Sequence, residues 1–169
     1  MKNQASGIIP LIGNTPLVEI THFDVGPCRL FAKMESHNPG GSIKDRIALS
    51  MIDAAERDGS LKPGGTIVEA TAGNTGLGLA LIGVLKGYKV ILVVPDKMSR
   101  EKVLHCKALG ADVRSARSDV TKGHPDYYQE VAARIAKETG GFYVNQFSNP
   151  ANTLAHETMT APEIWQQME

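Results

Sequence analysis

An α/β fold built on a parallel sheet covered on both faces is predicted by three observations. Strand-like segments alternate with helix-like segments of about 10 to 15 residues from Lys62 onward, the rhythm of consecutive βαβ units. Val90 to Val94 is an unbroken apolar run closed by Pro95, as expected of a strand buried on both sides. Three helix-to-strand junctions share one punctuation, a cation in the last helical turn before a glycine stop: Lys86-Gly87, Lys107 with Gly110, and Lys137 with Gly140.

In chain order, Gly13-Asn14-Thr15-Pro16-Leu17 reads as a turn opening a short apolar segment, and Leu30 to Met34 as a strand. A helix is predicted from about Ile43, with Ile47, Met51, Ile52 and Ala55 on one stripe and Gly59 as its stop. Thr66 to Ala70 is strand-like and Thr75 to Lys86 helix-like, and after the strand at Val90 to Val94 a helix capped by Ser99 runs to about Leu109. Asp112 to Arg117 is a weaker strand, Pro125 to Thr139 a helix with proline at its start, and Phe142 to Phe147 the last strand. Asn149 to Thr160 is helical in character, and Pro162-Glu163-Ile164-Trp165 opens a new or kinked turn.

The 169 residues, 42% of them hydrophobic, are enough for one ordinary domain or somewhat more. Eighteen basic and eighteen acidic residues cancel, and no block of like charge suggests nucleic acid or an anionic membrane as a partner. Met1 to Pro10 lacks the pattern of a signal peptide and no apolar run approaches the roughly 20 residues of a membrane span, so a soluble, cytoplasmic protein is expected. Cys28 and Cys106 lack CxxC spacing and suit reduced thiols. His105, His124 and His156 show no metal-ligand spacing.

Three segments could carry chemistry. In Asn38-Pro39-Gly40-Gly41-Ser42-Ile43-Lys44-Asp45-Arg46 a glycine turn opens directly onto a helix, with Ser42 as a good N-cap. Lys44 therefore falls in a first helical turn, where the positive end of the helix dipole disfavours a cation and eases deprotonation to a nucleophilic amine. A lysine met at random is a solvated surface group. The second segment, Glu69-Ala70-Thr71-Ala72-Gly73-Asn74-Thr75-Gly76, sits where a strand hands over to a helix. There, helix-start N–H groups and the dipole suit a phosphate or carboxylate; a plain tight turn is the alternative. Its glycine spacing is not that of a dinucleotide or nucleoside-triphosphate loop. In the third segment, Tyr143 to Asn152, Gln146 lies near a strand's carboxyl end, from which its amide could reach the same crevice or simply satisfy loop backbone.

Taken together, these segments resemble the fold-type II pyridoxal-phosphate enzymes of the cysteine synthase and cystathionine β-synthase family. The resemblance also takes in Ile12 to Leu17, Pro95-Asp96-Lys97-Met98-Ser99 and Pro162-Glu163-Ile164-Trp165, and so covers nearly the whole chain. It implies the three-layer parallel-sheet fold of that group, similar to the tryptophan synthase β subunit and here truncated. On this match Lys44 corresponds to the lysine that holds pyridoxal 5′-phosphate and then serves as the base at the substrate Cα. Asn74 matches the residue bonded to the cofactor's 3′ oxygen; Thr71, Ala72, Gly73 and Thr75 match the loop that grips the substrate carboxylate, with Gln146 as a further contact. The implied chemistry is β-replacement on serine or an activated serine by a thiol, in a protein that is a homodimer when full length.

Two departures from the family pattern bear on this. Ala72 stands where the family loop commonly has serine, which removes a hydroxyl; with Glu69-Ala70 before it, the variant resembles bacterial members of the cystathionine β-synthase type and favours homocysteine as the thiol over cysteine synthesis from O-acetylserine and sulfide. Family members also run to roughly twice this length. The resemblance therefore implies residues 40–146 as a smaller, mobile α/β domain, 12–37 and 147–169 as parts of a larger cofactor domain, and 1–11 as an N-terminal extension. The phosphate cradle belongs to the absent half, so the 169-residue chain alone is expected to be inactive. A non-catalytic ligand- or partner-binding module of α/β fold is the alternative from another class.

Overall fold

The computed structural model describes residues 7–71 and 73–169; Ala72 lies outside the described residues. Four strands, β3 (Thr66–Ala70), β4 (Lys89–Pro95), β5 (Asp112–Ala116) and β6 (Phe142–Tyr143), form a parallel sheet in the order β5-β4-β3-β6. A separate antiparallel pair joins β1 (Leu17–Glu19) to β2 (Phe31–Lys33), with Leu17 opposite Lys33.

Helices cover both faces of the large sheet. Ile67 of β3 and Val90, Leu92 and Val94 of β4 pack on one side with α1 (Lys44–Asp58) and α2 (Asn74–Leu85). The alternate residues Val68, Ala70, Ile91 and Val93 pack on the other, against Ala132, Ile135 and Ala136 of α4 (Tyr128–Thr139). This alternation is the period-two geometry of a strand buried on both faces, and it makes the three layers expected from the sequence. Full burial of Ile67, Leu79, Ile82 and Leu92 stabilises this core by about 1.5 to 3 kcal/mol per side chain. Helix α2 carries no ionisable side chain from Asn74 to Leu85, so it can lie between the sheet and α1 with no charge to desolvate.

The predicted glycine stops hold: Gly87, Gly110 and Gly140 have φ of 82°, 100° and 63°. Other expectations shift for local reasons. Ser99 precedes α3 (Arg100–Ala108) but makes no side-chain cap bond. Helix α4 begins at Tyr128 rather than Pro125, because His124 first closes a turn, its Nδ1 accepting the Asp126 N–H at 3.1 Å and its carbonyl the Tyr127 N–H at 2.9 Å. Strand β6 is shorter than the predicted Phe142 to Phe147: Val144 N–H still bonds the Val68 carbonyl at 3.0 Å, but Asn145 turns into left-handed backbone (φ 49°) and the chain leaves the sheet. The last helical region is α5 (Pro150–Ala155) and α6 (Ala161–Met168), joined by a π turn at His156–Thr160. Among the described residues no helix is long and apolar enough to cross a membrane.

Candidate active site

Lys44 is the first residue of α1 and is half-buried. Ile43 rather than Ser42 occupies the cap position of α1 and no side chain caps it, but just ahead the Ser42 hydroxyl oxygen accepts the Lys44 N–H at 3.1 Å, and Asp45 Oδ2 accepts the Gly40 N–H at 2.5 Å. The glycine turn and the first helical turn are thus tied together. Asp45 is fully buried; desolvation pushes its carboxyl above its ordinary pKa, against the pull of the Gly40 N–H.

A glycine lets the first turn of α1 approach α2. A Cβ at Gly78 would lie 3.0 Å from Ala48 Cβ and 3.1 Å from the Lys44 carbonyl oxygen, so α1 and α2 cross in close contact at Gly78. Asn74 stands four residues before Gly78 and therefore on the same face of α2, one turn nearer its N-terminus. The crossing sets the first turn of α1 beside α2, one turn along from Asn74, and α2 itself begins just past the carboxyl end of β3. A Cβ at Gly73 would meet nothing within 4 Å, so the loop faces open space.

The rest of that loop is held by specific bonds. Thr71 N–H donates to the Val93 carbonyl at 3.0 Å, and Thr71 Oγ1 accepts the Gly73 N–H at 3.2 Å. The buried Thr75 hydroxyl donates to Gln146 Oε1 at 2.6 Å, across 71 residues of sequence. The Gln146 amide nitrogen carries two N–H donors, one of which goes to the Glu69 carboxylate, leaving one to donate elsewhere. The structure thus joins Thr71 to Gly73 and Thr75 to Gln146 by hydrogen bonds and sets the backbone of Lys44 against Gly78, one turn along α2 from Asn74, while Ala72 lies outside the described residues.

Two sets of residues around the site were not singled out from sequence. Arg46, two residues after Lys44, is fully buried and forked between Glu35 (2.7 and 2.8 Å) and Glu163 (2.7 and 2.7 Å). Glu163 also accepts the Asn14 N–H at 2.8 Å and pairs with Lys33 at 3.0 Å, and Thr15 donates to Glu35 at 2.6 Å. Burial opposes ionisation of Glu163, yet the hydrogen bonds from Arg46, the Asn14 N–H and Lys33 outweigh it and hold its pKa down to about 2. A charge falling beside the apolar stripe of α1 was the available signal for Arg46. The second set is Glu69, 1% exposed at the end of β3, whose oxygens accept the Ala70 N–H at 2.9 Å and the Gln146 N–H at 3.1 Å. Desolvation raises its pKa to about 7, partly offset by these N–H bonds. A glutamate inside the otherwise apolar end of Thr66-Ile67-Val68-Glu69-Ala70 was its signal. Cys28 and Cys106 are both free thiols, and among the described residues no group of His, Cys, Asp or Glu is arranged to hold a metal.

A half-buried lysine at the start of α1, its backbone packed against α2, whose own start lies just past the carboxyl end of a parallel strand, is the arrangement expected of an α/β small-molecule site. The sequence profile of the family described as pyridoxal-phosphate dependent enzyme matches residues 8–169, and the chain belongs to that family. It is 45% identical over 166 residues to a cystathionine beta-synthase of Apis mellifera, covering 96% of this chain and 33% of that protein. It is 46% identical over 164 residues to a cysteine synthase of Staphylococcus aureus, covering 96% of this chain and 52% of the other. Among solved structures, a hydrogen sulfide-producing enzyme from Fusobacterium nucleatum superposes with a TM-score of 0.90 at 40% identity, over 99% of this chain and 54% of that one. O-ureido-L-serine synthase gives a TM-score of 0.89 at 37% identity, over 96% and 51%. The chain therefore has the fold-type II architecture and spans a third to about half the length of these relatives.

The family's cofactor is pyridoxal phosphate, and the residues present fit it. A primary amine at Lys44, an amide on the facing turn at Asn74 and open space at Gly73 are a donor set suited to an aldehyde with a neighbouring phenolic oxygen.

Proposed function

We propose that the full-length protein catalyses β-replacement on serine or an activated serine by a thiol, making cystathionine from serine and homocysteine. The observation that carries this reading is the crossing of α1 and α2 at Gly78, which supports Lys44 and Asn74 as partners in one crevice. Likeness to cystathionine beta-synthases supports the choice of thiol.

Lys44 Nζ would hold the cofactor covalently and Asn74 would donate to its phenolic oxygen. When bound, pyridoxal phosphate supplies the electron sink for a carbanion at the substrate Cα. The chain's own work is orientation and proton transfer. The substrate carboxylate is bound by N–H groups at the start of α2, where the helix leaves donors without intrahelical partners and the dipole favours an anion. Thr71, Ala72, Gly73 and Thr75 shape that seat, and the Gln146 amide nitrogen donates to the same carboxylate. So fixed, the substrate would present its Cα proton to Lys44 Nζ, which as a neutral amine would take it. Residues 40–146 form the smaller, mobile domain in this reading; 12–37 and 147–169 belong to the larger.

Cysteine synthesis from O-acetylserine and sulfide is the second reading, favoured by the 46% identity to staphylococcal cysteine synthase. The test is direct. Full-length protein loaded with pyridoxal phosphate shows a visible absorption band that is abolished in Lys44→Ala; a folded, cofactor-exposed wild type without the band would overturn the assignment. Offered both substrate pairs, the enzyme turns over serine plus homocysteine faster; preference for O-acetylserine plus sulfide would reverse the order.

A further inference from the structure

We propose that Glu69 is a positioning residue for the substrate carboxylate, acting through Gln146, and that its ionised form is the one that builds the seat. The inference rests on the carboxylate-binding reading of Gln146 given above and assigns what sets that side chain in place.

The geometry begins where the sheet ends. Strands β3 and β6 pair as far as Val68 and Tyr143, and Val144 N–H makes one more bond to the Val68 carbonyl. Asn145 then enters left-handed backbone, so the main chain of β3 can no longer reach Gln146. A side chain continues the ladder in its stead: Glu69 Oε2 accepts the Gln146 N–H at 3.1 Å while Oε1 accepts the Ala70 N–H at 2.9 Å. On the other side, Asn152 Nδ2 donates to the Gln146 carbonyl at 2.8 Å. With the backbone of Gln146 held at both ends, its amide oxygen meets the Thr75 hydroxyl, and its amide nitrogen, which carries two N–H donors, gives one to the Glu69 carboxylate and keeps the other.

Both oxygens of Glu69 are thus used as acceptors of N–H groups, a task that only a carboxylate performs fully. A protonated carboxyl, or a carboxamide, keeps one good acceptor and turns a donor or a poor acceptor toward the second N–H. Among the described residues no cation acts on Glu69 to fix the charge permanently. The titratable groups facing Glu69 are Tyr128 of α4 and Tyr143 of β6, both raised above the ordinary tyrosine range, Tyr143 to about 12, and hence neutral at physiological pH. Strand β4 presents Leu92 opposite Glu69, and α2 carries no ionisable group. Burial raises the carboxyl, and hydrogen bonds from the backbone N–H groups and from the Gln146 side-chain amide oppose it, the balance that brings its titration to about 7. Gln146 is then fully seated on the alkaline side of neutrality and loosened on the acid side.

The test has two arms. In the purified wild-type chain, the backbone amide proton of Gln146 is followed by proton–nitrogen NMR between pH 5.5 and 8.5. It is expected to move with a midpoint at about 7, and a shift that stays flat would overturn the proposal without any variant having to fold. In the full-length protein loaded with pyridoxal phosphate, serine affinity is read from the visible spectrum over the same range. Wild type should bind more tightly as pH rises through neutrality. Glu69→Gln should bind roughly tenfold more weakly at pH 8, the value of one charge-assisted hydrogen bond, and should lose that inflection while keeping the lysine-bound cofactor band. A variant that loses stability but retains wild-type affinity and inflection would make Glu69 structural only and overturn the proposal. Absence of serine binding in wild type would overturn the β-replacement reading and the ligand role of Gln146 with it, whereas serine binding beside a flat amide titration would overturn the role of Glu69 alone.

Discussion

Arg46 and Glu163, 117 residues apart, meet in a two-pronged pair with both N–O distances at 2.7 Å, and the arginine is wholly out of solvent. A buried guanidinium that loses one carboxylate is left with uncompensated charge, whereas Glu35 would still satisfy part of the fork. Glu163→Ala is therefore expected to destabilise the protein by about 3 kcal/mol, at the lower end for breaking a buried pair, measured by denaturant unfolding. A change under about 1 kcal/mol would show the pair to be no stronger than a surface contact.

Opposed titrations shape the pH dependence of stability. Glu163 has a folded pKa held at about 2 against an ordinary 4.5, so the native state binds fewer protons than the unfolded one. Its contribution, about 3 kcal/mol at most, is complete above pH 4.5 and lost as pH falls toward 2. Glu69, raised to about 7, does the reverse: the native state binds more protons, and stability falls as pH rises from 4.5 to 7. Unfolding free energy should thus peak near pH 4.5 to 5 with respect to these two groups. In Glu69→Gln the decline toward neutrality should be smaller; an undiminished decline would assign it elsewhere.

The α1 and α2 crossing leaves no room for a branched side chain. Gly78→Val must push the helices apart at the Lys44 carbonyl and should cost about 1 to 3 kcal/mol, the range for overpacking a filled interior. Because the displaced turn carries Lys44, the visible cofactor band of the full-length protein should weaken as well. Unfolding measurements beside absorbance titration with pyridoxal phosphate check both, and loss of stability with unchanged cofactor affinity would separate the crossing from the site.

Thr75 offers a cleaner probe of the carboxylate seat. Thr75→Val keeps the shape but removes the hydroxyl from Gln146 Oε1, leaving a buried acceptor unpaired at a cost of about 1 to 3 kcal/mol. The KM for the amino-acid substrate should rise more than kcat falls, and Thr75→Ser should restore most of it. Equal loss in both variants would mean that the methyl group, not the hydroxyl, matters.

How much of this was legible depended on whether the signal was local. The start of α1 at Lys44 and the stops at Gly87, Gly110 and Gly140 follow from glycine, proline and serine chemistry within a few residues, and the structure has them there. Alternating burial in β3 and β4 followed from their apolar runs. The early end of β6 did not, because an asparagine in left-handed backbone leaves only a faint compositional mark. Nor did the pairing of Thr75 with Gln146 or Arg46 with Glu163, since nothing in either segment names a partner 71 or 117 positions away. Glu69 and Arg46 were visible as charges among apolar neighbours, but their partners were not.

The π turn at His156–Thr160 sets which way the last helix faces. At about 100° per residue, an uninterrupted α-helix would carry Glu163 about 120° around from Ala151, whose carbonyl accepts the Ser50 hydroxyl of α1 at 2.8 Å. A π turn absorbs one residue and closes that angle to about 20°, so that Ala151 and Glu163 both address α1. The turn therefore works as a phase adjuster. Deleting Glu157 alone would let the segment relax to plain α-helix with the carboxylate still aimed at Arg46, while the same deletion within α6 ahead of Glu163 would swing it away.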